Sequence, residues 1–110
     1  MTIFEFTHAE RASWQRRAAA ELVEILDTHR DLPLITWTVG AAGSVLVGRA
    51  DSLSDSRARA GFDAWRHALA LTECHEHTSD AVTYLSAKDH RDRARVVLLA
   101  DLLGNMEGQR

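Results

Sequence analysis

"LPLITWTVGAAGSVLVGRAD", residues 32–51, is the stretch whose reading decides the fold. Ile35, Trp37 and Val39 alternate with Thr36 and Thr38, the period of a half-buried strand. Val45 and Val47 alternate with Leu46 and Gly48 and form a second strand. A loop of three residues, Ala41-Ala42-Gly43, suits a type I turn closed by a left-handed glycine and a bulge. That loop predicts the pairs Val39–Val45 and Trp37–Val47. Ile35, Trp37, Val39, Val45 and Val47 then share one face. A two-residue loop would move Val45 and Val47 to the face opposite the tryptophan, because a one-residue slip inverts a strand.

Working outward, each side of the hairpin carries a helix. Upstream, Thr7 and Glu10 have the spacing of a capping box. From Ala9 to about His29 there is neither Pro nor Gly, and Trp14, Ala18, Leu22 and Ile25 recur at helical spacing. Arg11, Gln15, Arg17, Glu21 and Glu24 fall mostly off that stripe, and Pro33 stops the helix. Downstream, Ser52 or Ser54 caps a second helix, with Asp55 completing a box to Ser52. Its apolar face is Ala58, Phe62, Trp65 and Leu69. Gly61 lies mid-helix, where close packing would explain it.

The remaining segments read as strands. "TECHEHT" and "AVTYLSAK" form a hairpin with a tight turn near Ser79-Asp80, "DHRDR" is a charged and solvated hairpin tip, and "ARVVLLADLL" is apolar on both faces, as a central strand would be. "TIFEF" is a candidate extra strand. The order is αββ-αβββ, with a helix-plus-hairpin unit repeated at residues 8–50 and 53–88. The expected fold is α+β: a two-layer sandwich with two helices on one face of a mainly antiparallel five-stranded sheet. Residues 1–110 form one domain, with 103–110 as a flexible tail.

Composition narrows the function classes. The chain has 110 residues, of which 45% are apolar, enough to build a core without disulfides or metal. The net charge of −3 argues against a non-specific nucleic-acid binder. Twelve arginines accompany a single lysine, Lys88, which is the bias of a GC-rich genome. The longest apolar run, Val96–Ala100, cannot span a bilayer, and the N-terminus has no basic leader, so a cytoplasmic location is expected.

One stretch looks like chemistry: "LTECHEHTSDA", residues 71–81. On a strand, Glu73, His75 and His77 share one face, and Cys74, Glu76 and Thr78 the other. His75 and His77 are therefore the candidate metal ligands, since His-x-His on a strand can grip a zinc ion. Glu73 is about 13 Å from His77 along the strand and cannot join both histidines on one ion. His90 is the candidate third ligand. The competing reading is a wet sheet edge, where polarity on both faces blocks unwanted pairing. A histidine pair also titrates near neutral pH. "GAAG" leads into a strand and not a helix, so it cradles no phosphate, and no G-x-S-x-G nucleophile elbow is present.

The strand phrase around Ile35-x-Trp37-Thr38-Val39-Gly40, the helix with Phe62-x-x-Trp65 and the run "TSDAVTYLSA" resemble a group of small uncharacterised actinobacterial proteins. The resemblance covers about residues 32–88 and implies a bacterial cytosolic origin, with no catalytic residue to transfer. The expectation is a non-catalytic binding or adaptor module that needs no cofactor. It acts through protein–protein contact, as a homodimer or with another protein. The reason is that the strands carry more apolar surface than two helices can cover, the second face holding Leu34, Leu46, Leu85 and one row of the fifth strand. The alternatives are a metal-dependent or ligand-binding protein using His75 and His77, and a nucleic-acid-binding regulator using Arg11, Arg16, Arg57 and Arg59.

Overall fold

The computed structural model describes residues 7–40, 43–51 and 54–104. In chain order the elements are α1 (His8–Thr28), β1 (Thr36–Val39), β2 (Val45–Arg49), α2 (Asp55–Ala68), β3 (Glu73–Ser79), β4 (Val82–His90) and β5 (Arg95–Leu102). The strands form one sheet in the order β1-β2-β5-β4-β3. β5 thus fills the seam between the two hairpins, parallel to β2 and antiparallel to β4. The sheet is mixed but mostly antiparallel, and the fold is the expected α+β sandwich. The candidate strand "TIFEF" lies outside the described residues.

Both helices start as their sequences dictate. At α1, the Thr7 side chain accepts the Glu10 amide and the Glu10 carboxylate accepts the Thr7 amide, closing the capping box. At α2 the cap is Ser54, which accepts the Arg57 amide. Ser52, and with it the expected box to Asp55, lies outside the described residues; the Asp55 carboxylate accepts the Leu103 and Gly104 amides at 2.9 and 2.7 Å. The first residues after β5 are therefore held against the start of α2. Ala58, Phe62, Trp65 and Leu69 are all buried. A Cβ on Gly61 would meet only Ala50 and Pro33 at 3.7 and 4.0 Å, an ordinary contact. Close packing does not explain this glycine.

The first hairpin has a different register from the expected one. Trp37 pairs with Gly48, Thr38 with Val47 and Val39 with Leu46. Beyond these pairs the Gly40 amide donates to the Val45 carbonyl at 2.8 Å. Gly43 does take the left-handed conformation, at φ 71°, while Ala41 and Ala42 lie outside the described residues. The slip of one residue inverts β2. Leu46 and Gly48 face the helices with Trp37 and Val39, and Val45 and Val47 face away. Side-chain volume explains this choice. A Cβ on Gly48 would stand 3.0 Å from the Trp37 ring, 3.0 Å from Ile35 and 2.9 Å from Leu98. The indole lies across a backbone with no side chain, a space that Val47 in the same place would fill.

Above that site Trp37 meets Trp65 edge-on at 5.4 Å, and the Trp65 indole N–H donates to the Pro33 carbonyl at 2.6 Å. The core continues through Ala18, Ile25, Phe62, Leu85, Val96 and Leu98, all buried between the helices and one sheet face. β5 is central as expected. Val96, Leu98, Ala100 and Leu102 are buried under the helices, and Val97 and Leu99 are half-buried on the other face.

α2 ends in a Schellman motif. The Leu71 amide donates to the Arg66 carbonyl and the Ala70 amide to the His67 carbonyl. The left-handed position is filled by Ala70, at φ 53°, where glycine is the usual residue.

Candidate functional site

The strand β3 is a sheet edge, and all seven of its residues are exposed. Its pairing with β4 sets Cys74, Glu76 and Thr78 opposite Ala87, Leu85 and Thr83 on the helix side. Glu73, His75 and His77 stand opposite Lys88, Ser86 and Tyr84 on the other side. The expected sharing of faces is therefore correct. Each side is tied down by polar contacts. Glu76 takes Arg59 from α2 at 3.1 Å, the Thr78 and Thr83 hydroxyls are 2.9 Å apart, and Glu73 takes Lys88 at 3.4 Å. The Cys74 thiol donates to the Leu71 carbonyl at 3.5 Å.

His75 lies 3.9 Å from the Glu73 carboxylate. His90 does not join the two histidines. It pairs with Arg95, four residues along β4 from the Ser86 that faces His75, or about 13 Å. Among the described residues, no three His, Cys, Asp or Glu side chains converge where they could hold an ion. At the base of the hairpin, Asp89 accepts the Thr72 hydroxyl and the His90 amide, both at 2.8 Å. The Thr72 hydroxyl and then the His90 amide hold its carboxyl below the ordinary carboxylate range. Its contribution is complete above that range and is lost as the pH falls through the lowered value.

The four arginines of the nucleic-acid reading divide between the helices, Arg11 and Arg16 on α1 and Arg57 and Arg59 on α2. Arg59 is engaged by Glu76.

The tip "DHRDR" holds what sequence reasoning missed. It is not a free hairpin end. β4 continues to His90, the Arg91 amide closes the turn onto the Ala94 carbonyl, and the arginines reach back to α1. Arg91 and Arg93 contact the Glu21 carboxylate at 3.1 and 3.4 Å, and Arg93 also engages Glu24. Glu21 is buried, with 3% of its surface exposed, between the core residues Ala18 and Ile25. A signal was available: position 21 is three residues after Ala18 and four before Ile25, and so lies on the buried stripe. A cleft of about 360 Å³ beside this cluster is lined by Glu24, Thr28, His29, His90 and Asp92. The two arginines already neutralise Glu21, so the cluster pins the β4–β5 turn to α1.

The opposite sheet face has no such cover. Both helices pack on the other side, and among the described residues no helix lies over this one. The expected apolar residues here need correction. Leu46 and Leu85 are buried under the helices, at 0% and 3% exposure, and Leu34 precedes β1. The face instead carries Val45 and Val47 of β2 beside Val97 and Leu99 of β5, an aliphatic block at the centre of the sheet. Around it stand Thr36 and Thr38, Tyr84, Ser86 and Lys88, and the histidine row of β3. Arg49 is paired with Asp101 at 3.3 Å on one side of the block, and Arg95 occupies the other end of β5.

Comparisons of the chain with protein-family models, with curated proteins and with solved structures returned no match. No helix among the described residues is long and apolar enough to cross a membrane.

Proposed function

We propose that the protein is a non-catalytic binding module that acts through protein–protein contact made by the open face of its sheet. One observation carries this reading: Val45, Val47, Val97 and Leu99 adjoin one another at the centre of a face that neither helix covers. A sheet face that meets only water alternates polar residues outward, and this one does so only at its margins. An aliphatic centre ringed by Tyr84, Arg49, Arg95 and Asp101 has the make-up of a protein interface, with a dry core and a charged rim. An apolar patch of this kind on a small protein favours association.

Tyr84 offers a direct test, being 44% exposed and on this face. Replacing it with a photo-crosslinking phenylalanine analogue in living cells should give protein adducts. The same analogue at Asp63, on the exposed side of α2, should give none. Equal labelling at the two sites, or none at Tyr84, would refute the reading.

A further inference from the structure

We infer that the occupant of the open face is a second copy of this chain, packed sheet to sheet about a two-fold axis that crosses β5 at Leu98. This rests on the reading of that face as a protein-binding surface, and adds which protein binds and in what register.

The pattern along β5 supports it. The residues on the open face are Arg95, Val97, Leu99 and Asp101. Val97 and Leu99 lie one residue either side of Leu98, and Arg95 and Asp101 lie three either side. A two-fold axis in the plane of the interface and across the strands lays β5 antiparallel over its counterpart. Val97 then meets Leu99 of the second copy, and Arg95 meets Asp101 at both ends. An axis along the strands would instead set Arg95 against Arg95 and Asp101 against Asp101. Charge thus selects one of the two symmetric packings, since like charges brought together at an interface are strongly unfavourable.

The neighbouring rows agree. On β2, Val47 beside Val97 would face Arg49 of the second copy, so the cation of this row meets no like charge. On β4, Lys88 would face Ser86 of the second copy, so no two cations are opposed there. Packed sheets cross at about 30° and stand about 10 Å apart. The offset this gives at the ends of β5 is about 5 Å, within reach of an arginine side chain. Arg95 is exposed and forms no ion pair with another described residue, so it is available for Asp101. An isologous contact of this type closes on itself and gives a dimer, not a fibre.

Sedimentation equilibrium of the purified chain tests this, with circular dichroism as a check on folding. Wild-type protein should be a dimer at micromolar concentration. Leu99→Asp should be monomeric at that concentration with an unchanged spectrum, and Val23→Asp, on the exposed side of α1, should remain dimeric. Arg95→Asp opposes two aspartates at each end, and Asp101→Arg opposes two arginines. Each should weaken its own dimer at least about tenfold. An equimolar mixture of these two variants should regain near wild-type affinity, because every end then holds one aspartate and one arginine. A wild-type monomer at hundreds of micromolar would overturn the inference. So would a dimer lost in Val23→Asp but kept in Leu99→Asp, or a mixture that associates no better than its components. If the purified chain is monomeric but Tyr84 still crosslinks in cells, the second copy is excluded and the binding face survives. If neither is seen, both readings fail.

Discussion

The two hairpins of this protein are built alike and held differently. β1–β2 follows α1 and β3–β4 follows α2, and both hairpins flank β5. In the first, an indole lies across a glycine under two helices, and packing selects the register. In the second, β3 is exposed along its whole length and the turn does more of the selecting. Asp80 and Ala81 both have positive φ, 53° and 68°, the pattern of a two-residue type I′ turn. The turn keeps its strained alanine exposed, with the Gly104 backbone against the Ala81 carbonyl, while the glycine-rich loop of β1–β2 yields its spacing to the fit of Trp37 on Gly48. Where a core exists, side-chain volume outranks loop preference. Where none exists, local backbone geometry carries the register.

The sharpest way to break this comparison is to remove the indole. Trp37→Ala should cost about 3 kcal/mol, measured by chemical denaturation, because Trp37 joins Trp65, Ile35 and Gly48. Gly48→Ala should cost about 1–3 kcal/mol, since its Cβ would press on Trp37, Ile35 and Leu98 at once. In a Trp37→Ala background that loss should shrink by at least about 0.5 kcal/mol, the mark of coupled neighbours. Additive losses would mean that the two residues are not partners. Gly43→Val should cost about 1–2 kcal/mol through its left-handed backbone.

These register residues also mark how far the sequence could be read. Periodicity identified both helices, all five strands and the central place of β5, because each depends on neighbours in the chain. The capping box at Thr7 and Glu10 was legible for the same reason. The register of β1–β2 was not, because it depends on Leu98 and Trp65, which are remote in sequence. Val45-Leu46-Val47 is apolar at every position and gives alternation no preferred face. That ambiguity then hid the composition of the open face. Glu21 was misplaced for a related reason. A carboxylate counts as solvent-facing until its arginines are known, and Arg91 and Arg93 are supplied by a turn 70 residues away.

The second hairpin should respond in the opposite direction to backbone change. Ala81→Gly relieves a left-handed alanine and should raise stability by up to about 1 kcal/mol. Ala70→Gly, at the end of α2, should give a gain of similar size. A loss at Ala81 would mean that the turn is held by side-chain contacts, and the contrast between the hairpins would weaken.

The smallest expected effects fall on the residues that look most like chemistry. His75 and His77 are exposed on an edge strand, and the one described carboxylate near His75 is Glu73 at 3.9 Å. Exposed ion pairs of that kind contribute little, and Lys88 already competes for Glu73. His75→Ala and His77→Ala should each change stability by less than about 0.5 kcal/mol. If either histidine served a bound metal, the losses would be far larger and would follow removal of the ion by a chelator. Denaturation of both variants with and without chelator separates the two cases. Coincident curves fit a wet edge, whose polarity keeps unwanted strands from adding to the sheet. A chelator-sensitive loss at His75 and His77 together would make this strand a metal site, and the more exposed hairpin would then be the one stabilised from outside the chain.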